Sequence, residues 1–399
     1  MACEQVTLQD VCELIVDCPH TSAKDEGVGY PLIRTPNVGR GRLILADVHR
    51  VSQDVYERRV SRAVPRQGDL ILAREAPAGN VAIVSPGIEV CLGQRTMLLR
   101  PDSSFVVPEY LNYYLNAPEQ RDRMLRLANG ATVSHINVAD IRNMPVQLPS
   151  RGEQSKVAEL LNVLDDKIDL NNRLNDYLLE LISSVFAHRF SSNVNTTDLK
   201  NVLSISTKAL KPQEHASEIW EHYSIPAFDE KHRPIFEPAS EIKSNKYQID
   251  NECILISKLN PSTKRIWMPY CSSNNAVCST EFIVYRPYLK EYKSFYYAAI
   301  DSPGFTDYLL EHVSGSTGSR QRAQPKDTLH YLIPNPSNEE IKDFCTFADP
   351  IYRHVQINEQ QTAKLELLRD TLLPKLMSGE IDVSKVDLTQ LTNNHLTDC

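Results

Sequence analysis

Apolar positions along this chain follow two alternating patterns. In residues 1–150 and again in 191–335 they come as short runs broken by turn-forming residues, and 69–73, 81–84, 96–99, 253–257 and 282–285 are read as strands. A short helix over 108–127 is expected before a glycine loop at Gly130, with 288–312 as its counterpart. Between 153 and 188 the pattern changes to a seven-residue spacing. Val157, Leu164, Asn171, Leu178 and Val185 take one core position, and Leu160, Lys167, Leu174 and Leu181 take the other. In 336–378 the same spacing places Phe344, Ile351, Asn358, Leu365 and Leu372, then Phe347, His354, Gln361 and Leu368. A helix of that length spans about 54 Å, too long for an ordinary core helix.

The chain also repeats itself. Leu115-Asn-Ala-Pro118 precedes Ile300-Asp-Ser-Pro303 by 185 residues, and the same offset relates Gly130-Ala-Thr132 to Gly315-Ser-Thr317 and Leu148-Pro149 to Ile333-Pro334. Upstream, Asp69-Leu-Ile-Leu matches Glu252-Cys-Ile-Leu at 183, and Val90-Cys91 matches Val277-Cys278 at 187. The expected fold class is mixed α/β: two similar globular domains joined and separated by two long antiparallel coiled-coil helices, a pseudo-two-fold internal repeat. The expected order is a first globule at 1–150, a helix at 151–190, a second globule at 191–335, a helix at 336–378 and an acidic tail at 379–399. Asn171 and Asn358 recur at equivalent positions, where they either specify the register of the helix pair or face solvent at a frayed seam.

No basic leader and no apolar run long enough to span a bilayer is present, and the nine cysteines show neither C-x-x-C pairs nor regular spacing. A soluble chain in a reducing cytoplasm is expected, with no membrane partner, no metal site and no disulfide framework. The net charge of −8 is uneven: −1 over 1–150, −2 over 151–200, 0 over 201–333 and −5 over 334–399. Nine arginines at 34, 40, 42, 50, 58, 59, 62, 66 and 74 face four acids in that stretch, a local excess of five positive charges. Arginine is suited to bidentate phosphate and guanine contacts, although an arginine-rich solvated face would look the same.

Two diverged globules on a rigid spacer suit a ligand with two different sites at a set separation, and duplex DNA is such a ligand. No phosphate-loop motif, no Asn/Asp-Pro-Pro-aromatic motif and no glycine-rich turn for S-adenosylmethionine occurs. Gly315-Ser-Thr-Gly318 lacks the lysine of a phosphate loop. Gly130-Ala-Thr-Val-Ser-His-Ile-Asn137 reads either as a loop presenting polar groups to DNA or as a structural turn. Cys18 and His20 have no identifiable partner acid for nucleophilic chemistry, so no catalytic residue is assigned.

Val6-Thr-Leu-Gln-Asp10, Asp17-Cys-Pro-His20, Tyr30-Pro-Leu-Ile-Arg34, Gly68-Asp-Leu-Ile-Leu-Ala-Arg74, Leu92-Gly-Gln-Arg95, the Gly130 loop and Leu372-Leu-Pro-Lys-Leu-Met-Ser-Gly-Glu380 together resemble the specificity subunit of type I restriction-modification enzymes. The resemblance implies two target-recognition domains, each reading half of a bipartite, asymmetric sequence in double-stranded DNA, and helices that space them and dock two methyltransferase subunits, to which restriction subunits add. S-adenosylmethionine, ATP and magnesium would belong to those partners, with no cofactor in this chain. The implied DNA contacts in the first domain are Arg34, Asn37, Arg40, Arg42, Arg74, Arg95, Thr132, His135 and Asn137. In the second they are Lys258, Asn260, Lys264, Arg265, Thr317, Ser319, Arg320 and Gln321. The competing readings are a coiled-coil interaction protein and a self-contained nuclease.

Overall fold

The computed structural model describes residues 4–75, 78–128, 135–192, 195–314 and 321–383. The chain divides into two compact units, one of residues up to Ile168 together with those from Lys364 on, the other of Asp169–Ala363.

The first unit is built on a five-stranded sheet ordered Cys12–Asp17, Thr96–Pro101, Leu70–Ala73, Val81–Ile83 and Gly41–Arg42. All pairings are antiparallel except the last, which is parallel. Its central strand, Leu-Ile-Leu-Ala, is apolar at every position because both of its faces are covered. Leu70 and Leu72, with Val81, Met97 and Leu99, pack on one side against the helix Pro108–Asn116 and against Val157, Leu161, Leu373 and Leu376 of two long helices. Ile71 and Ala73, with Ala82 and Leu98, face the other way onto Cys18, Ile33 and Val38. The expected single helix at 108–127 is two, Pro108–Asn116 and Pro118–Leu127. Pro118 cannot donate into the preceding turn and pushes Ala117 into extended backbone, with ψ of 145°.

The second unit repeats this plan. Its sheet runs Leu203–Ser206, Phe282–Pro287, Ile254–Ser257 and Ile266–Trp267, and the helices Lys293–Ile300 and Pro303–Glu311 follow. An edge strand, Thr196–Asp198, pairs with Leu332–Pro334 as Glu4–Thr7 pairs with Pro145–Leu148 in the first unit. The offset of 185 expected through Leu148-Pro149 does not persist. Leu8 N donates to Met144 O and Leu199 N to Tyr331 O, which relates the carbonyls at 187. Ser150 with Glu153 and Ser337 with Glu340 form matching caps on the long helices at the same offset. Ile136 and Ala323 donate to the equivalent Arg74 and Lys258 carbonyls, again at 187, so two residues are gained between Glu311 and Ala323. The second unit also has a five-stranded sheet, ordered Ala209–Leu210, Lys246–Gln248, Ala276–Ser279, Ile219–Tyr223 and Ile235–Pro238, where the first has three short strands.

The long helices span Arg151–Phe190 and Asn338–Met377, forty residues each. Val157, Leu164 and Asn171 are buried, but the second core position lies one residue later than the spacing suggested. Leu161, Ile168, Asn175 and Ile182 fill it, while Leu174 and Leu181 are 37% and 45% exposed. The second helix makes the same choice, burying Ala348, Val355 and Thr362 and exposing Leu368. Either phase satisfies a heptad, and the covering surfaces decide between them. In the second unit, Ile182, Phe186 and Phe190 are drawn into an aromatic core with Phe295 and Phe344.

A polar layer crosses the helix pair within the second unit. Asn171 Nδ2 donates to Gln361 Oε1 at 2.9 Å, and Asn358 Nδ2 donates to Asn175 Oδ1 at 2.8 Å. Asn171 also donates to Thr362 Oγ1 at 3.4 Å, and Asn175 to the Val355 carbonyl at 3.3 Å. Asn171 and Asn358, like Asn175 and Thr362, stand 187 residues apart, so each repeat supplies the partner of the other. All four are buried, and slipping one helix along the other would leave these groups unpaired at about 1–3 kcal/mol each. Asn175→Ala and Asn358→Ala are expected to be non-additive, the double variant costing about 1 kcal/mol less than the sum, as read from urea unfolding midpoints. Strict additivity would mean that the pair contributes no coupling.

Candidate nucleic-acid interface

In both units the central strand of the sheet stops at a cationic residue, and three chain segments meet there. In the first unit the strand Leu70–Ala73 leads into Arg74, whose amide donates to Arg95 O and whose carbonyl accepts from Ile136 N. The Arg74 guanidinium is largely buried and fully engaged, with Nε donating to Ile136 O at 2.9 Å and Nη1 to Asp17 Oδ1 at 2.8 Å. Arg74 is thus a strut between strand ends. Asp17 uses its second oxygen on His20 Nε2 at 3.3 Å, Arg62 donates to the Asp17 carbonyl, and Gln94 donates to His20 O.

The groups left facing outward are His20, Arg62, Gln94, Arg95 and half-buried His135. Arg95 has φ of 65°, a left-handed conformation that non-glycine residues adopt at a cost and that recurs at binding sites. Its side chain is 58% exposed and paired to Glu75 at 2.9 Å, a pairing weak enough to exchange for a phosphate or base edge.

The equivalent place in the second unit carries different chemistry. Lys258 follows the strand, its amide donates to Glu281 O, and its carbonyl accepts from Ala323 N. Asn260, at φ of 48°, donates its amide to Gln321 O, and its side-chain Oδ1 is buried without a partner among the described residues. Where the first unit has Arg95 just before the strand Thr96–Pro101, the second has Glu281 just before Phe282–Pro287, and Glu281 is paired to Arg322 at 3.1 Å. The sign of charge at that point of the fold is reversed.

The remaining predicted residues do not gather here. Asn37 is buried, accepting from Arg34 N and donating to Ile44 O, so its amide closes a loop. Arg34 lies over Gly93, where a Cβ would come within 2.7 Å of Arg34 Cγ and of the Ile33 carbonyl, which is why glycine stands in Leu92-Gly-Gln-Arg95. Arg42 donates to Asp166 on the first long helix at 2.5 Å, and Arg40 is exposed. Asn137 precedes the helix Val138–Arg142 and donates to Asp140. Lys264 is paired with Asp301 at 2.8 Å, and Arg265 is held by both oxygens of Asp229 at 2.6 and 2.8 Å. Thr132, Thr317, Ser319 and Arg320 lie outside the described residues.

Sequence reasoning assigned no role to Glu75, Asp17 or buried Arg59, which ties Leu92 O to Thr21 O. The repeat by itself aligns Ser279-Thr-Glu281 with Gly93-Gln-Arg95 and so sets Glu281 opposite Arg95. Cys18 is buried in the sheet core, and burial pushes its thiol up, away from nucleophilic use. Among the described residues no three His, Cys, Asp or Glu side chains group as a metal site requires, and no helix is long and apolar enough to cross a membrane.

Residues 2–180 match the family model for the type I restriction modification DNA specificity domain. The MjaIX specificity subunit of Methanocaldococcus jannaschii is 21% identical over 372 residues, covering 85% of this chain and 84% of its own. The StySPI specificity subunit of Salmonella potsdam is 23% identical over 407 residues, covering 90% and 86%. Among solved structures, the S subunit of a type I restriction-modification system from M. genitalium matches with a TM-score of 0.57 over 94% of this chain and 96% of its own, at 15% identity, a likeness of fold.

The two arginines of the first unit should separate in stability measurements. Arg74→Ala strands the Asp17 carboxylate and the Ile136 carbonyl and is expected to cost about 2–4 kcal/mol. Arg95→Ala removes only an exposed pair and should cost under about 1 kcal/mol. Equal losses in a chemical unfolding series would contradict the assignment of Arg74 as a strut.

Proposed function

From the match of residues 2–180 to the type I specificity domain and the likeness of most of the chain to specificity subunits, we propose that the chain is a specificity subunit of a type I restriction-modification system, reading a bipartite, asymmetric DNA target, one half with each unit, and aiming catalytic partners that it does not itself replace. The observation that carries this reading is the duplicated sheet end. The scaffold there is the same in both units, while the exposed or half-buried groups are Arg95, Gln94, His20 and His135 in one and Lys258, Gln321, Glu281 and Arg322 in the other. One backbone frame with divergent polar groups is what two different half-sites require, since base edges are told apart by donor and acceptor pattern. The exposed arginines supply phosphate contacts without giving the whole chain a basic charge.

The helices carry the second part of the proposal. Leu170, Leu174, Tyr177 and Leu181 are exposed in the second unit, and Leu367 and Leu368 in the first. Apolar residues left uncovered on coiled-coil helices are suited to docking further helices, and we assign them to two methyltransferase subunits, with restriction subunits joining through those. S-adenosylmethionine, ATP and magnesium then act in the partners.

The test is methylation sequencing in cells carrying this chain with a methyltransferase subunit of its system. A split motif with unlike halves is expected. Arg95→Ala should relax or abolish one half while leaving the other, and Lys258→Ala should do the reverse. In salt titrations of DNA binding, loss of a phosphate contact lowers the slope by about one. A motif that changes in both halves with either variant, or cleavage of DNA by the purified chain and magnesium alone, would refute the reading.

A further inference from the structure

The second unit contains a cavity away from the strand-end surface. Its inserted sheet, the residues after the helix Ile225–Lys231, the strand Ile266–Trp267 and positions 356–363 of the second long helix enclose about 170 Å³. That is close to the size of an engineered cavity that admits benzene, and far more than one water needs. Trp267 forms one wall, with His232 stacked on it at 5.3 Å between centroids and Tyr223 edge-on at 4.6 Å, and Tyr270 is a further lining ring. Burial pushes the Tyr223 and Tyr270 hydroxyls up, so both rings are neutral phenols.

Two carboxylates complete the lining. Glu221, itself buried, accepts from Tyr223 Oη at 3.0 Å, from Ser272 N and Oγ at 2.8 and 3.1 Å, and from Ser273 N at 2.8 Å, which fixes it in one place. Glu359 projects from the long helix, with His232 Nδ1 at 3.4 Å beside it. His232 is held at φ of 50°, a left-handed conformation that non-glycine side chains seldom take, and its Nε2 is buried with no partner among the described residues. A strained residue with an unused ring nitrogen at the wall of an aromatic cavity points to an occupant.

From these features we infer that the cavity binds a small organic cation, an alkylammonium group held against the indole of Trp267 and opposite the Glu359 carboxylate, the Tyr270 ring already carrying Lys293 Nζ over it at 5.3 Å. The ring faces attract positive charge, and desolvation inside the cavity strengthens that attraction. A neutral ring of the same size would leave Glu359 with no cationic group of the occupant to face, and an anion would meet two carboxylates against one arginine, Arg233, among the described lining residues. Aromatic cages that take quaternary ammonium groups follow the same physics.

The chain has two tryptophans, and Trp220 lies in a separate buried cluster, so Trp220→Phe makes Trp267 the sole fluorescence reporter. The full-length chain would be titrated with choline, with spermidine and with 3,3-dimethylbutanol, the neutral isostere of choline. Saturable quenching by choline assigns a quaternary ammonium, saturable quenching by spermidine a polyamine end, and either outcome with at least tenfold weaker binding of the alcohol supports the site. Glu359→Gln, with its helical signal verified by circular dichroism, should weaken the cation at least tenfold by calorimetry. No saturable response to either cation, or equal binding of the alcohol, overturns the inference, and so does an unchanged affinity in a folded Glu359→Gln chain.

Discussion

A forty-residue helix cannot remain ordered in water on propensity alone; it must bury a continuous stripe, and no single small globule is long enough to cover one. This chain divides the task. Each long helix gives one half to each compact unit, so each unit's core is completed by segments of both helices. Val157 and Leu161 meet the first unit's sheet together with Leu373 and Leu376, and Ile182 and Phe186 join Phe344 and Tyr352 in the second. Within each unit the sheet that carries the strand end packs against its own pair of helix segments. The polar layer of Asn171, Asn175, Asn358 and Thr362 adds what apolar packing lacks, a penalty for sliding.

Charge is deployed by the same logic of local pairing. Most of the arginines in 34–74 hold loops: Arg42 reaches Asp166, Arg59 reaches two carbonyls, and Arg74 reaches Asp17. The groups left to face a ligand are few, and several are already leaning on an exchangeable neighbour, Arg95 on Glu75 and Arg322 on Glu281. An acidic chain can therefore present cationic surfaces, because net charge sums over helices and a C-terminal segment that need not touch the ligand.

Self-similarity exposed the duplication, and the long helices declared themselves by their period. The strand pattern was legible too, since Leu70–Ala73 is apolar throughout and Ile254–Ser257 is apolar up to its closing serine. The phase of the heptad was not, because leucines occupy both candidate positions at 160 and 161 and the choice depends on tertiary cover. The two-residue gain between Glu311 and Ala323 was hidden for a related reason: dipeptides such as Leu-Pro and Ile-Pro match by composition at the wrong offset, while hydrogen-bond partners give the same 187 that relates Asn171 to Asn358 in the helices. The fate of individual arginines was illegible because their partners lie far off in the chain, Asp17 from Arg74 and Asp166 from Arg42. The aromatic cavity draws its walls from four separated segments, one of them in a sheet with no full counterpart in the first repeat, so no local pattern announces it.

The first unit is closed by Leu373, Leu376 and Val383, which are synthesised after the whole of the second unit. Residues 169–363 form an unbroken stretch, so on the ribosome the second unit can mature while the first still waits for its final helical segment. Biosynthesis and architecture thus run in opposite order, and the half of the molecule made first is the last to acquire a finished core. Premature termination between Ala363 and the final helical turns would leave an intact second unit tethered to an open first one, a product in which the apolar face of the first sheet is bare and ready for chaperones or proteases.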